Sequence, residues 1–223
     1  MELIGTSHQF LTDVLRKDYR PEIFEMIEAA WPRVPNPSIA WLEPRITGLL
    51  RLALISEQES RYLTDPPFHI SEEVKKRDPK TGKEYERTDI EIHLRHHYIK
   101  GQKPYFVFES KRLNIPYGDR VKSNADEYVG DGGMGCLSEG RYESVLSFSG
   151  MIGYLMNGEM ASAKQAIENL LRQNVDKLHL KPTSEIQASQ FVPKNKKLGE
   201  TYHQREGMSF IIFHIFLPVS RQR

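Results

Sequence analysis

Two carboxylates and one lysine are the residues of this sequence whose types and spacing are best suited to chemistry. Asp89 lies in the alternating segment 87–94 (RTDIEIHL), and Glu109 and Lys111 lie in segment 104–113 (PYFVFESKRL). A spacing of two puts Glu109 and Lys111 on the same face of a strand. Carboxylate oxygens hold hard divalent cations such as Mg²⁺, and a neighbouring ammonium stabilises developing negative charge. The pattern therefore predicts metal-assisted hydrolysis of a phosphodiester.

Hydrophobic periodicity predicts the elements that would position these residues. Helical spacing predicts helices over residues 21–30, 38–55 and 159–174, with a short helical piece near 124–129. Apolar or alternating segments predict strands at 68–70, 87–94, 104–113, 144–156 and 209–217, and the charged stretch 75–83 is typical of a hairpin loop. The order of helices and strands predicts an α/β fold with a mixed central sheet flanked by helices.

An acid on the second strand followed by Glu-X-Lys on the third strand resembles the motif of the PD-(D/E)XK nucleases. In this chain the motif consists of Asp89 and then Glu109-Ser110-Lys111, and the order of elements agrees over roughly residues 39–174. The resemblance implies a restriction-endonuclease-like core, Mg²⁺ or Mn²⁺ as the cofactor, and an endonuclease that cuts phosphodiester bonds. It implies metal ligation by both acids and a catalytic role for the lysine.

The resemblance also implies a third metal ligand, because an acid from the preceding helix often joins the site in this family. Glu43 (WLEPRIT) opens the second predicted helix and takes that role here. Since Glu43 precedes a proline, the alternative is a helix-entry residue near the positive end of the helix dipole. Thr88 stands where the motif has proline, a position that varies in the family. Restriction, repair, phage-defence and mobile-element nucleases share this core, so the resemblance implies a reaction class and not a biological role. DNA as the substrate and a setting in phage defence or mobile-element biology are hypotheses by analogy.

Other residues of the sequence allow competing interpretations. Glu91 shares a strand face with Asp89 by the period of two and is the alternative ligand, although Asp89 is preferred. The cluster His93, His96 and His97 allows a zinc site, but histidines in a strand and a loop are more often surface residues. The glycine-rich segment 130–135 (GDGGMG) lacks the Gly-Lys-Ser/Thr ending of a phosphate loop. His214, within an apolar strand, is expected to be a core histidine.

Basic residues that follow the motif are the candidates for contact with nucleic acid, since phosphates require such partners. The site predictions are Arg112, Lys122, Tyr128 and Arg141, and Tyr117 and Arg120 lie between them. Basic clusters at 75–77 and 194–197 are equally well explained as solvated loops. The net charge of +1 gives no global signal for a nucleic-acid partner.

Length and composition limit the remaining possibilities. A chain of 223 residues with 39% hydrophobic and 27% charged residues is typical of a globular protein, and we expect one domain over residues 1–223. We expect a cytoplasmic protein, since no apolar run is long enough for a membrane span and the N-terminus lacks a signal-peptide pattern. The single cysteine, Cys136, excludes an internal disulfide and fits a reducing compartment.

The leading hypothesis is therefore a cytoplasmic, metal-dependent nuclease. A non-catalytic nucleic-acid-binding or assembly module on the same fold is the alternative, in which the acids are structural. A small-molecule hydrolase that uses the histidine cluster lacks a nucleophile motif. The sequence leaves open a homodimer, a partner protein that supplies targeting, and the choice between DNA and RNA.

Overall fold

The computed structural model describes residues 18–71, 75–77, 84–95, 104–142, 146–181 and 185–219, with backbone alone at 75–77 and 84–87. The helices are α1 (Arg20–Ala30), α2 (Glu43–Arg61), α3 (Ala125–Val129), α4 (Met134–Ser138) and α5 (Met160–Gln173). The strands are β1 (Phe68–Ser71), β2 (Lys75–Arg77), β3 (Glu84–Arg87), β4 (Ile90–Leu94), β5 (Tyr105–Leu113), β6 (Ile115–Tyr117), β7 (Arg120–Lys122), β8 (Phe148–Leu155), β9 (Gln187–Ala188), β10 (Leu198–Arg205) and β11 (Met208–Pro218).

Seven of these strands form one mixed sheet in the order β1-β4-β5-β8-β11-β10-β9. The centre is parallel, since β8 pairs in parallel with both β5 and β11. The flanks are antiparallel, because β1 pairs with β4, β4 with β5, β10 with β11 and β9 with β10. Two further antiparallel pairs, β2-β3 and β6-β7, lie outside the main sheet. The chain is thus a mixed α/β fold with helices on its sheet, as the sequence predicts.

Both faces of the sheet are covered, which explains why its central strands are apolar almost throughout. Helices α1 and α2 pack with one face in a first hydrophobic core, and α3, α4 and α5 pack with the other face in a second core. All eight residues of β8 are buried. Gly150 in β8 is required by packing, because a Cβ atom there would lie 2.2 Å from Cδ1 of Phe108. None of the helices in the described part combines the length and apolar character that crossing a bilayer requires.

A series of hydrogen-bonded polar side chains lies in the second core, and the donor and acceptor of each bond can be assigned from one end. His203 Nδ1 lies 2.8 Å from the Leu178 carbonyl, which only accepts, so His203 Nε2 accepts from the Thr201 hydroxyl at 2.8 Å. Thr201 Oγ1 then accepts from His214 Nε2 at 2.9 Å, and His214 Nδ1 accepts from the Tyr128 hydroxyl at 3.0 Å. Burial lowers the pKa of His203 to about 4 and that of His214 to about 3. Both imidazoles are therefore neutral core residues, which confirms the prediction for His214.

The structure corrects several predicted boundaries. The helix predicted over 38–55 is α2, which begins at Glu43 and ends at Arg61. The strand predicted over 87–94 is interrupted, because its first residue belongs to β3 and the main-sheet strand begins at Ile90. Strand β10 and the β6-β7 hairpin were not predicted. Part of the predicted loop 75–83 forms β2, and its residues 78–83 lie outside the described residues.

Candidate active site

The predicted acid Asp89 lies immediately before β4, beside the C-terminal half of β5. Ile90 pairs with Phe108 at the end of the β4-β5 ladder, so Asp89 comes next to the part of β5 that contains Glu109 and Ser110. The Asp89 carboxylate accepts two hydrogen bonds from Ser110 through Oδ2, one from the backbone N–H at 2.7 Å and one from Oγ at 2.7 Å. Because this N–H is bonded to a side chain, the ladder between β4 and β5 ends at Ile90.

Asp89 is held by a series of buried hydroxyl groups, each of which donates a hydrogen bond to the next. Since the carboxylate accepts from Ser110, the Ser110 oxygen is left to accept from Thr47 at 2.8 Å, and Thr47 accepts from the Tyr154 hydroxyl at 3.1 Å. Thr47 is 3% exposed, and Ser110 and Tyr154 are fully buried. The variable position of the Glu-X-Lys motif thus has a structural task in this chain, which is to orient the first acid.

Glu43 reaches the same place from the first turn of α2. It is the first residue of this helix, and Pro44 lies in the first turn. The Arg112 guanidinium donates to the Trp41 carbonyl at 2.7 Å, which fastens the segment before the helix to β5. The Glu43 carboxylate also faces the backbone N–H of Arg112. The predicted third acid therefore lies beside the C-terminal part of β5, the part that does not pair with β4.

The Lys111 ammonium lies among the three acids. Its Nζ is 3.2 Å from Glu43 Oε1 and 3.8 Å from Glu109 Oε2, and the side chain is 13% exposed. Burial by itself lowers the pKa of Lys111, but the charges of Glu43, Glu109 and Asp89 outweigh it and leave that pKa raised. Lys111 is consequently a fixed cation at neutral pH and not a general base.

Two of the three carboxyl groups resist ionisation in spite of the neighbouring Lys111 ammonium. Burial, followed by repulsion from Asp89, raises the pKa of Glu109 to about 8. Burial also raises the pKa of Glu43, with Asp89 adding to the rise and Lys111 opposing it. A pair of acids that resist ionisation in this way is typical of a site that binds a further cation or carries out proton chemistry.

Tyr142 is a site residue that the sequence analysis missed. Its hydroxyl donates to Glu109 Oε1 at 2.6 Å, and Tyr105 donates through its own hydroxyl to the Tyr142 carbonyl. Cys136 lies beside it, 3.5 Å from the Tyr142 hydroxyl, and burial raises the pKa of this thiol to about 12. Only the neighbouring Arg141 was a candidate, because nothing in a tyrosine's sequence context signals that it will reach an acid 33 residues earlier.

The structure separates Glu91 from this cluster. Glu91 is 3% exposed and accepts from the Thr88 hydroxyl at 3.0 Å, and its other oxygen lies 2.9 Å from His93 Nε2. His93 in turn stacks on Tyr105 with ring centroids 5.0 Å apart. Asp89, unlike Glu91, contributes to the pKa of both Glu43 and Glu109. The geometry thus favours Asp89 as the first acid.

The four residues predicted to contact nucleic acid occupy different environments. Tyr128 requires correction, because it is fully buried and bonded to a core histidine, out of reach of a ligand on the surface. Arg112 is engaged with the segment before α2. Lys122 and Arg141 are exposed, each beside an acid, with Lys122 Nζ 3.4 Å from Glu127 and Arg141 2.6 Å from its glutamate partner.

The described residues of the remaining candidate motifs supply no second site. His96 and His97 lie outside the described residues. The glycine-rich segment joins α3 to α4, and the N–H groups of Gly133 and Gly135 both donate to the Gly130 carbonyl, so they do not point toward a phosphate. Within the described ranges, no three His, Cys, Asp or Glu side chains are already arranged to hold a metal ion.

Comparison of the chain with protein-family models, curated proteins and solved structures found no match. The argument for function therefore depends on the geometry and the charge of this site.

Proposed function

We propose that this chain is a metal-dependent nuclease of the PD-(D/E)XK kind that hydrolyses phosphodiester bonds, with DNA as its substrate. The observation that carries the proposal is the meeting of four side chains from three separate segments. Lys111 Nζ lies 3.2 Å from Glu43 and 3.8 Å from Glu109, and Asp89 is bonded to the serine between the motif residues. This is the set of residues that the Glu-X-Lys resemblance implies.

The finer fold assignment, a restriction-endonuclease-like core, is part of the same proposal. Strands β1, β4 and β5 are consecutive antiparallel neighbours in the main sheet, and β8 adds in parallel to β5. The first acid directly precedes the second of these strands, and Glu-X-Lys lies on the third. A helix that begins with the third acid comes before them in the chain. This order supports the assignment.

The donor set fits a hard divalent cation in its chemistry. Asp89 adds to the raised pKa values of Glu43 and Glu109, and the positive charge of Lys111 opposes these rises only in part. Among the described residues, neither Asp89 Oδ1 nor Glu109 Oε2 accepts a hydrogen bond. The acids are not arranged as a ready cage, so binding requires their side chains to rotate toward one another. A bound Mg²⁺ or Mn²⁺ would neutralise charge on the phosphate and ease deprotonation of a water.

The chain's own residues have distinct tasks in this scheme. The Lys111 ammonium, fixed by Glu43 and by the Ser110 carbonyl at 2.9 Å, stabilises negative charge that grows on the phosphate and orients the attacking water. Tyr142 holds one oxygen of Glu109, which leaves the other directed at Lys111. Ser110 fixes Asp89 in the same manner.

Cleavage assays with matched variants test the proposal. Labelled duplex DNA, single-stranded DNA and RNA are incubated with the purified chain in Mg²⁺, Mn²⁺ or EDTA. We expect metal-dependent cleavage that Asp89→Asn and Glu109→Gln abolish, because each change removes a charged ligand and keeps the volume. Glu91→Gln is the control, since it neutralises a buried acid two residues from Asp89 and outside the cluster. Thermal melts confirm the folding of each variant.

Two results would contradict the proposal. Cleavage that persists in Asp89→Asn and Glu109→Gln at the wild-type rate would show that these acids are structural. Binding of nucleic acid without cleavage in either metal would favour the alternative, a non-catalytic binding module on the same fold.

A further inference from the structure

The hairpin formed by β6 and β7 projects from the end of the motif strand and is separate from the main sheet. Its register pairs Ile115 with Lys122 and Tyr117 with Arg120, so these four side chains share one face. Val121 lies on the other face, opposite a proline. Residues of both faces line a groove of about 370 Å³.

The root of this hairpin is held firmly by the protein core. Asn114 and Asn124 flank it, both buried and both in the left-handed backbone region, with φ of 51° and 56°. The Asn114 N–H donates to the Ser123 carbonyl at 3.0 Å, and its side-chain amide donates to the Glu159 carbonyl and to Ser162 Oγ, each at 2.9 Å. An isolated two-stranded hairpin is marginally stable, so this anchoring is what keeps the hairpin projecting in a fixed direction.

The tip combines an exposed aromatic ring with cations. Tyr117 is 81% exposed and Val121 is 53% exposed. Arg120 is exposed and has no ion-pair partner among the described residues, whereas Lys122 lies 3.4 Å from an acid on α3. Asp119, in the turn, is the one acid of the hairpin.

Charge complementarity points to a polyanion as the occupant of this face. On the hairpin itself, the exposed cationic side chains are Arg120 and Lys122, against Asp119 alone. The hairpin begins four residues after the motif lysine, a separation of at most about 13 Å. A strand of nucleic acid bound at the site would therefore pass close to the hairpin, since binding grooves of this kind take about 4–16 nucleotides.

The exposed ring favours unpaired bases over a duplex. In a duplex the bases are stacked on one another, and a side chain at the backbone contacts sugar and phosphate. Cationic side chains are sufficient for such contacts, so a duplex does not require an exposed aromatic ring. An unpaired base instead offers a free π-face, on which tyrosine stacks, while arginine and lysine follow the backbone. A protein partner is disfavoured by size, because a stable interface buries about 800 Å² on each side, more than one short hairpin offers.

We infer that the β6-β7 hairpin binds a single-stranded stretch of nucleic acid next to the cleavage site, with a base stacked on Tyr117 and phosphates held by Arg120 and Lys122. The inference rests on the proposed function in so far as the same strand enters the active site. It narrows the substrate to nucleic acid that is single-stranded, or locally unpaired, beside the scissile bond.

Equilibrium binding in EDTA tests this inference apart from catalysis. Fluorescence anisotropy is measured with a labelled 16-nucleotide DNA and with its duplex at several salt concentrations, with Tyr117→Ala, Tyr117→Phe and Arg120→Gln. Leu63→Ala, an apolar side chain 95% exposed beyond the end of α2, and Arg172→Gln, an exposed cation 43% accessible, are the matched controls.

We expect Tyr117→Ala to weaken binding of the single strand by about 5- to 150-fold with an unchanged salt slope, and Tyr117→Phe to retain it, because the ring and not the hydroxyl stacks. Arg120→Gln should weaken binding and reduce the salt slope by about 0.7, the value for one phosphate of a single strand. The two control variants should bind as wild type does. Duplex affinity should change much less in Tyr117→Ala.

Several results would overturn the inference. These are wild-type affinity in Tyr117→Ala, equal losses for single strand and duplex, no binding of the single strand by the wild type, or self-association of the chain that depends on Tyr117. Failure of the proposed function is distinguishable: binding that depends on Tyr117 without cleavage in Mg²⁺ or Mn²⁺ would support the hairpin and refute the nuclease. Cleavage of single strands that Tyr117→Ala leaves unchanged, together with unchanged binding, would refute the hairpin alone.

Discussion

Replacing Glu109 by glutamine should stabilise the metal-free protein at neutral and alkaline pH. The pKa of this carboxyl rises from an ordinary value of 4.5 to about 8, because burial disfavours its charge and Asp89 repels it. The folded protein therefore holds this proton more tightly than the unfolded chain does. The resulting contribution of Glu109 to the free energy of unfolding is fully present below pH 4.5 and is lost as pH rises through 8. The difference between 8 and 4.5 corresponds to at most about 5 kcal/mol of unfolding free energy at pH 9, and about 3 kcal/mol at pH 7.

Glutamine removes this penalty without removing the local structure. Its carbonyl oxygen accepts the Tyr142 hydroxyl in place of Glu109 Oε1, which now lies 2.6 Å from that hydroxyl. The wild type should therefore lose stability relative to Glu109→Gln as pH rises from 5 to 9. Saturating Mg²⁺ should stabilise the wild type and leave the variant unchanged, because a cation binds the folded state through the missing charge.

Urea unfolding from pH 5 to 9 in EDTA, repeated with Mg²⁺, measures both effects. Glu127→Gln removes one exposed carboxylate and controls for the change in net charge. A stability difference between wild type and Glu109→Gln that stays constant across this pH range would refute the argument from burial and repulsion. Equal stabilisation of both proteins by Mg²⁺ would show that Glu109 is not a ligand.

Three further predictions follow from the same structure. Lys111→Ala should bind Mg²⁺ more tightly in titration calorimetry, because a like charge is removed, yet slow single-turnover cleavage by about 10²- to 10³-fold; a parallel loss of both would mean that Lys111 is structural. His203 and His214, held neutral by burial, should each lower the free energy of unfolding by up to about 2 kcal/mol as pH falls from 6.5 to 5, because the unfolded chain binds protons there and the folded protein does not. NMR should show neither ring titrating in that range, and a titration midpoint near 6.5 would contradict this. Gly150→Ala should destabilise the fold by roughly 1–3 kcal/mol in thermal unfolding, whereas Gly132→Ala, with no atom within 4 Å of its Cβ position, should be tolerated.

Periodicity in the sequence was sufficient for those features that depend on neighbours along the chain. The spacing of two between Glu109 and Lys111 fixed their shared face before any packing was known. Helical spacing in the same way places Ala163, Ala166, Ile167, Leu170 and Leu171 on one face of α5. In the structure the first, third and fifth of these are buried and the other two are partly buried against the second core. The apolar strands at the centre of the mixed sheet were likewise recognisable, because both of their faces are covered.

Buried polar residues concealed other parts of the fold. Strand β10 contains Glu200, Thr201 and His203, all fully buried, so its sequence lacks the apolar pattern of a core strand. These side chains are tolerated in the interior because each is hydrogen bonded there. Such partners lie on distant segments, and no local pattern reveals them.

The tertiary structure alone decided how the candidate site is assembled. The sequence supplied Asp89, Glu109 and Lys111 as chemical types at workable spacing, and a resemblance suggested Glu43. That the ammonium lies 3.2 Å from Glu43, and that Tyr142 bonds Glu109, depends on how α2 and the segment after α4 dock on β5. Docking is fixed by packing between segments far apart in the chain. The burial and the close approach of charges that shift these pKa values therefore exist only once the sheet has formed and both of its faces are covered.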